Sequence, residues 1–304
     1  MSYPEGLVTV AEDPKWQRAS SLITTTESVI GLINIPAHKL SISQTNAHLT
    51  PKAIREALQR FSTQSYSADK NLAVQSIQDL GEISDPEQNE QQTIETISAT
   101  NKELVIALGG DNSITYAAAL GVYGQRLSTA GLITLDAHHD LRDGNSNGSP
   151  VRRLIEAGLN PKQIVQIGIN DFSNSPDYEQ LAHSLGITVI TRTEVASIGI
   201  ASACKKALAI AGTSRGPIHV DLDVDVCDQS VVPACPAAAP GGISAFELRQ
   251  AARLLTADSL VRGLDITEID ASKDTEDQRT IRLGALLVLE AVASYLQRQL
   301  TAPI

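Results

Sequence analysis

Short runs rich in valine, isoleucine and leucine recur along the chain with helix-like stretches between them, and this alternation limits the available folds more than any other feature. The runs fall at residues 29–35, 72–80, 103–109, 131–137, 164–169, 187–190, 217–225 and 260–266. Strands separated by helices join as crossovers between parallel neighbours, so the pattern predicts a mainly parallel sheet of roughly eight strands with helices on both faces. Helix starts are marked. Thr50 and Pro51 stand as cap and first-turn proline before "KAIREALQRF", and Ser244 with Glu247 gives a capping-box pattern before "LRQAARLL". The last helix is expected through "TIRLGALLVLEAVASYLQRQ", whereas the polar stretch 82–92, interrupted by Pro86, reads as a solvated loop. No repeat or compositional break marks a linker, so residues 1–304 are expected to form a single three-layer αβα domain.

Composition narrows the partners. With hydrophobic residues at 42% and a formal charge of -11, the chain is expected to be globular and to bind neither nucleic acid nor an anionic membrane surface. The opening residues 1–20 lack a basic stretch followed by an apolar one, and no run approaches the roughly 18 apolar residues of a span. A cytoplasmic location is the expectation. Cys204, Cys227 and Cys235 form no C-x-x-C pair and read as buried thiols.

Two acidic segments break the apolar pattern. In an extended "HVDLDVDV", Asp221, Asp223 and Asp225 share one face and Val220, Leu222, Val224 and Val226 the other. Unpaired carboxylates resist desolvation by several kcal/mol each, so such a face calls for cations. In "DAHHD", Asp136, His138 and Asp140 alternate in the same way at the end of an apolar run, where parallel sheets place their ligands. Asp136, Asp140, Asp223 and Asp225 carry the charge of two divalent ions. Oxygen donors with one imidazole suit Mn²⁺ better than Zn²⁺, and a pair of such ions is a hydrolytic centre. His139 points away from His138 and reads as a packing group, whereas His38, His48, His183 and His219, which have no motif, read as structural or exposed by default. Cys227 stands among hard oxygen donors and is also given a packing role.

"GGDNS" at 109–113, "DAHHD" at 136–140, "DLDVD" at 221–225 followed by Asp228, and "LDITEID" at 264–270 together resemble the ureohydrolases, the family of arginases, agmatinases and formimidoylglutamases. The resemblance runs from "TPKAIREAL" to the last helix. It implies the arginase-like fold, two Mn²⁺ per chain and a homo-oligomer, trimeric or hexameric. It also implies Asp136, His138, Asp140, Asp223 and Asp225 as metal ligands, with Asp136 and Asp223 bridging. Asp140 would serve as the catalytic proton carrier and Glu268 as the carboxylate that holds the substrate's amidine nitrogens.

The chain departs from relatives in that family at four places. Asn112 stands where most relatives have a sixth, histidine ligand, which implies a weak or lost ligand and one ion held less tightly. Gln229 replaces a usual proline after Asp228, and Asn147 replaces an active-site histidine in "SNGSPVRRL". Arg142 stands where arginase-like relatives have a small polar residue. An arginine there expects a carboxylate, which agmatine lacks and formimidoylglutamate supplies. Together with the segments "SNGSPVR" and "PACPAAAPGGIS", this brings the chain nearest to formimidoylglutamase. The expected substrate contacts are Arg142, Ser146, Asn147 and Glu268, and the expected reaction is hydrolysis of formimidoylglutamate to glutamate and formamide. Arginase, agmatinase or another guanidino-acid hydrolase remains the alternative, as does a metal-poor, non-catalytic subunit.

Overall fold

The computed structural model describes residues 13–301, with side chains through Arg298. Residues 1–12 and 302–304, and with them most of the opening segment and both ends of the expected single domain, lie outside the described residues. In chain order the strands are β1 (Ile23–Thr24), β2 (Ile30–Ile35), β3 (Gln64–Ser65), β4 (Lys70–Asn71), β5 (Ile77–Glu82), β6 (Leu104–Gly109), β7 (Gly131–Leu135), β8 (Ile164–Ile169), β9 (Thr188–Thr191), β10 (Ile218–Asp223) and β11 (Val261–Thr267). The helices are α1 (Thr50–Ala57), α2 (Glu90–Ala99), α3 (Ile114–Tyr123), α4 (Pro150–Ala157), α5 (Pro176–Leu185), α6 (Arg192–Ile198), α7 (Ile200–Ala211), α8 (Ala245–Thr256) and α9 (Arg279–Thr301).

Apart from the antiparallel pair β3–β4, the strands form one nine-stranded sheet in the order β1-β5-β2-β6-β11-β10-β7-β8-β9, with every neighbouring pair parallel. Side-chain alternation divides the core between the two faces. Leu32, Leu104 and Ile106 join a large cluster with α1, α7, α8 and α9. Ile33, Val105 and Ala107 join Ile97 of α2 and Ile114 and Ala118 of α3 on the opposite face. The central strands are apolar almost throughout because both faces are covered. By length and hydropathy α9 could cross a membrane, but 83% of that stretch is buried here, so core packing accounts for its apolarity.

Several local expectations change. The eight expected strands are present, and a ninth, β1, adds a two-residue edge too short to carry a pattern. Only the second half of the run 72–80 is strand; Leu72–Val74 is a 3-10 turn. Thr50 is the first helical residue and not the cap, for its hydroxyl donates to the Ile269 carbonyl at 2.5 Å. The stretch 82–92 is only partly loop: Glu82 ends β5 and Glu90 opens α2, while the Glu87 side chain is 6% exposed. The Ser244–Glu247 capping box is formed as expected.

The acidic strand shows the most consequential difference. β10 ends at Asp223, and Asp225 lies in a 3-10 turn, Val224–Val226, started by Asp223 accepting the Asp225 N–H at 2.8 Å. The three aspartates therefore do not form one face of one strand. Asp221 sits a row deeper, in register with Thr134 of β7 and Asp265 of β11. Burial, followed by the charge of Asp265, pushes the Asp221 carboxyl well above the usual carboxylate range. Asp265 is in turn 2.9 Å from Nε2 of the buried His219.

Candidate active site

Four adjacent strands of the sheet, β6, β11, β10 and β7, end beside one another and deliver the singled-out residues to one edge. β6 leads into Gly110, Asp111 and Asn112; β7 into Asp136; β10 ends on Asp223; β11 ends before Glu268. This is the carboxyl end of the strands, where parallel sheets hold ligands. Gly110 makes the first turn possible: a Cβ there would lie 1.7 Å from the Ala37 carbonyl oxygen. That carbonyl accepts the Asp111 N–H at 2.9 Å.

The side chains then converge. His138 Nδ1 lies 2.7 Å from Asp225 Oδ2 and 3.4 Å from Asp136 Oδ1. Ligand atoms of Asp136, His138 and Asp225 all fall within 4.8 Å of one another. Asp225 Oδ1 accepts the Ala137 N–H at 2.8 Å, which ties the two acidic segments together. Asp136, Asp140, Asp223, Asp225 and Glu268 are each at most 6% exposed. Asp140 and Glu268 hold φ of 53° and 63°, backbone strain that non-glycine residues tolerate where the surroundings fix them.

So many buried carboxyls cannot all ionise unaided. Burial and the charge of Asp225 push Asp136 up to about 6. Burial and Asp111 push Glu268 up to about 8. Asp140 and Asp223 are driven well above the usual range, by burial first and then by neighbouring aspartates. Asp225 goes the other way: burial would raise it, but the hydrogen bond and charge of His138 outweigh that and lower it. Burial opposes the charge on His138 too, yet its bonds to Asp136 and Asp225 push it up to about 11. Asp136 Oδ2 is buried and accepts no hydrogen bond. An orphaned carboxylate oxygen beside hard oxygen donors and one imidazole is the donor set of a divalent cation such as Mn²⁺, so the residues fit the group.

Asn112 is placed differently from the ligand cluster. Its amide nitrogen donates to Asp140 Oδ2 at 2.6 Å, while its amide oxygen accepts from Thr115 Oγ1 at 2.8 Å and Thr267 Oγ1 at 3.0 Å. The oxygen, its one metal-binding atom, is engaged by two hydroxyls. Its backbone N–H donates to Glu268 Oε1 at 2.8 Å.

Above the carboxylates opens a cleft of about 290 Å³, lined by His138, Asp140, Asp223, Asp225 and Glu268 on its floor and by Arg142 and Asn147 above. Arg142 is exposed and makes no ion pair among the described residues. Ser146 does not line the cleft; its hydroxyl accepts the Gly148 N–H at 3.3 Å within its own turn. Residues that sequence reasoning passed over also line it: Ile42 and Ser43, and Ser173, Asn174 and Tyr178 after β8. Ile42, Ser43, Ser173 and Asn174 stand in loops without motif or periodicity, and Tyr178 in the first turn of α5. Asn174 braces "DAHHD" by accepting the His139 N–H and donating to the Ala137 carbonyl, both at 2.9 Å. His139 is buried against Gln166, 2.7 Å from Nδ1, and all three cysteines are buried and free. Buried Arg192 donates to the Asp225 carbonyl at 2.7 Å and so holds the turn after β10.

The arginase family model matches residues 28–294. The formimidoylglutamase of Halalkalibacterium halodurans is 38% identical over 272 residues, 85% of this chain and 85% of that protein. The crystal structure of formimidoylglutamase from Bacillus subtilis superposes with a TM-score of 0.88 at 30% identity, covering 99% of this chain and 98% of that one. Formiminoglutamase of Trypanosoma cruzi with Mn²⁺ shares the fold at a TM-score of 0.86 and 20% identity, over 93% of this chain and 99% of that one.

Proposed function

The chain belongs to the arginase family, and from that premise we propose that it is a manganese-dependent hydrolase that cleaves N-formimidoyl-L-glutamate to L-glutamate and formamide. The observation that carries the substrate is Arg142, a guanidinium without an ion pair among the described residues, lining a cleft that also holds carboxylates. Relatives named formimidoylglutamase, similar over most of the chain, support the same reading.

Asp136, His138, Asp140, Asp223 and Asp225 would hold two Mn²⁺. When bound, such ions supply Lewis acidity and make water a nucleophile near neutral pH. The chain's own groups do the rest. Glu268 presents its free buried carboxyl oxygen, Oε2, to an N–H of the planar amidine and so places the reacting carbon over Asp140. Asp140 lies in the floor of the cleft, within reach of the proton that water loses on adding to that carbon. The bond from the carbon to the glutamate nitrogen breaks, the nitrogen takes that proton, and glutamate and formamide leave. Arg142 pairs with a substrate carboxylate through two parallel N–H donors, setting the distance from the amidine to the far end.

The test is Arg142→Ala. Loss of a charge-assisted contact should lower kcat/KM for formimidoylglutamate by roughly 10- to 150-fold with bound Mn²⁺ unchanged, and Lys should recover only part of it. An unchanged kcat/KM would make Arg142 a surface residue and withdraw the substrate assignment.

A further inference from the structure

We infer that Asn147 is a positioning residue that aims Glu268 at the substrate and, through the other end of the same amide, fastens residues 38–48 over the cleft as a lid. This rests on the reading of the cleft given above, and it adds a coupling that the family's catalytic chemistry does not require.

Residues 38–48 leave β2 and return to α1 as a compact loop whose ends touch: the rings of His38 and His48 lie 4.2 Å apart between centroids. Such closed loops pack on themselves and often carry function. The base is well anchored. Glu87 Oε1 accepts the N–H groups of His38 and Lys39 at 2.6 and 2.8 Å, and Asp270 Oδ2 accepts that of Asn46 at 3.0 Å. The tip, residues 40–43, is held differently. Among the described residues its hydrogen bonds out of the loop both go to Asn147: Ile42 N–H to Asn147 Oδ1 at 3.0 Å, and Asn147 N–H to the Leu40 carbonyl at 3.1 Å. Ile42 itself lines the cleft.

The far end of the Asn147 amide reaches the floor. Its Nδ2 donates to Glu268 Oε1 at 2.9 Å, and the same oxygen accepts the Asn112 N–H at 2.8 Å. Two donors on Oε1 leave Oε2 as the oxygen free for a substrate N–H. An amide is the group that the position requires, because it must accept from Ile42 on one side and donate to a carboxylate on the other. A plain turn residue would not explain this. The turn 146–149 is already closed by Ser149 Oγ, which donates to the Ser146 carbonyl and accepts the Ser146 N–H, both at 2.8 Å. Since one amide serves both contacts, substrate held by Glu268 and closure of the lid are linked, and linkage between two contacts is reciprocal.

The test combines hydrogen exchange over residues 38–48 with steady-state kinetics on the Mn²⁺-loaded protein, comparing Asn147→Ala and Asn147→Asp with the parent. Asn147→Ala removes both contacts: exchange in the tip should quicken about 3- to 10-fold, and KM should rise about tenfold or more with a smaller change in kcat. Asn147→Asp keeps the acceptor for Ile42 but turns a carboxylate toward Glu268, so KM should rise while tip exchange stays near that of the parent. Tip exchange unchanged in Asn147→Ala, or KM unchanged in both variants, overturns the inference. The exchange arm needs no substrate, so it decides the lid contact even if formimidoylglutamate proves not to be hydrolysed; the kinetic arm is then run on the amidine that is.

Discussion

Asn112 shows how one residue can depend on parts of the chain that its own motif does not reveal. "GGDNS" announces an amide where a stronger ligand is expected, and leaves open whether that amide coordinates a metal. The fold turns its nitrogen toward Asp140, an acceptor, and gives its oxygen to Thr115 and Thr267. Thr115 is a turn further on, but Thr267 comes from β11, 155 residues away, and no local pattern connects them. Asn112→His is therefore expected to supply a ring nitrogen where an engaged oxygen now stands. The weaker Mn²⁺ should bind tighter by about 10- to 100-fold, the size of effect seen when metal shells are altered, read by titration against a metal buffer. Equal affinities of the two ions in the parent protein would sink the idea.

At the scale of elements, the strands were legible because covered parallel strands are continuous apolar runs, and the acidic segments because aspartates crowd the ends of such runs. What escaped was short or bent. β1 is two residues long, and the turn at Val224–Val226 carries Asp225 out of the alternation that seemed to include Asp221. The cleft-lining loops were unreadable because a loop residue is placed by partners distant in sequence, as Ile42 is by Asn147.

Bringing the ends of β7 and β10 together also makes stability depend on pH and metal. Asp136, up to about 6, and Glu268, up to about 8, keep protons in the metal-free fold that the unfolded chain has released. Their contribution is full below the ordinary carboxyl range near about pH 4 and is lost as pH rises through these values. His138, pushed up to about 11, acts in the same direction above about pH 6.5. Asp225, lowered, acts oppositely, losing its contribution only as pH falls below the ordinary range. The Tm of metal-free protein should thus fall between about pH 5 and pH 8. Mn²⁺ requires the deprotonated ligands, so the Tm gained on adding it should be larger at the higher pH. Equal gains at both would mean that these carboxyls do not hold the ion.

At the scale of the whole molecule, one end of the sheet collects residues from four segments far apart in the chain, and the covering layers bury their carboxyls. The formal charge of -11 makes an Arg142 without an ion pair among the described residues more telling, since carboxylates are plentiful elsewhere. The most direct measurement is turnover by the Mn²⁺-loaded protein on formimidoylglutamate, arginine, agmatine and guanidinobutyrate in parallel, with formamide and urea both assayed. Formimidoylglutamate should be hydrolysed with the highest kcat/KM, releasing formamide and glutamate, and chelation should abolish it. Urea release from arginine or agmatine at higher kcat/KM, or no product from any of the four with Mn²⁺ bound, would contradict the account.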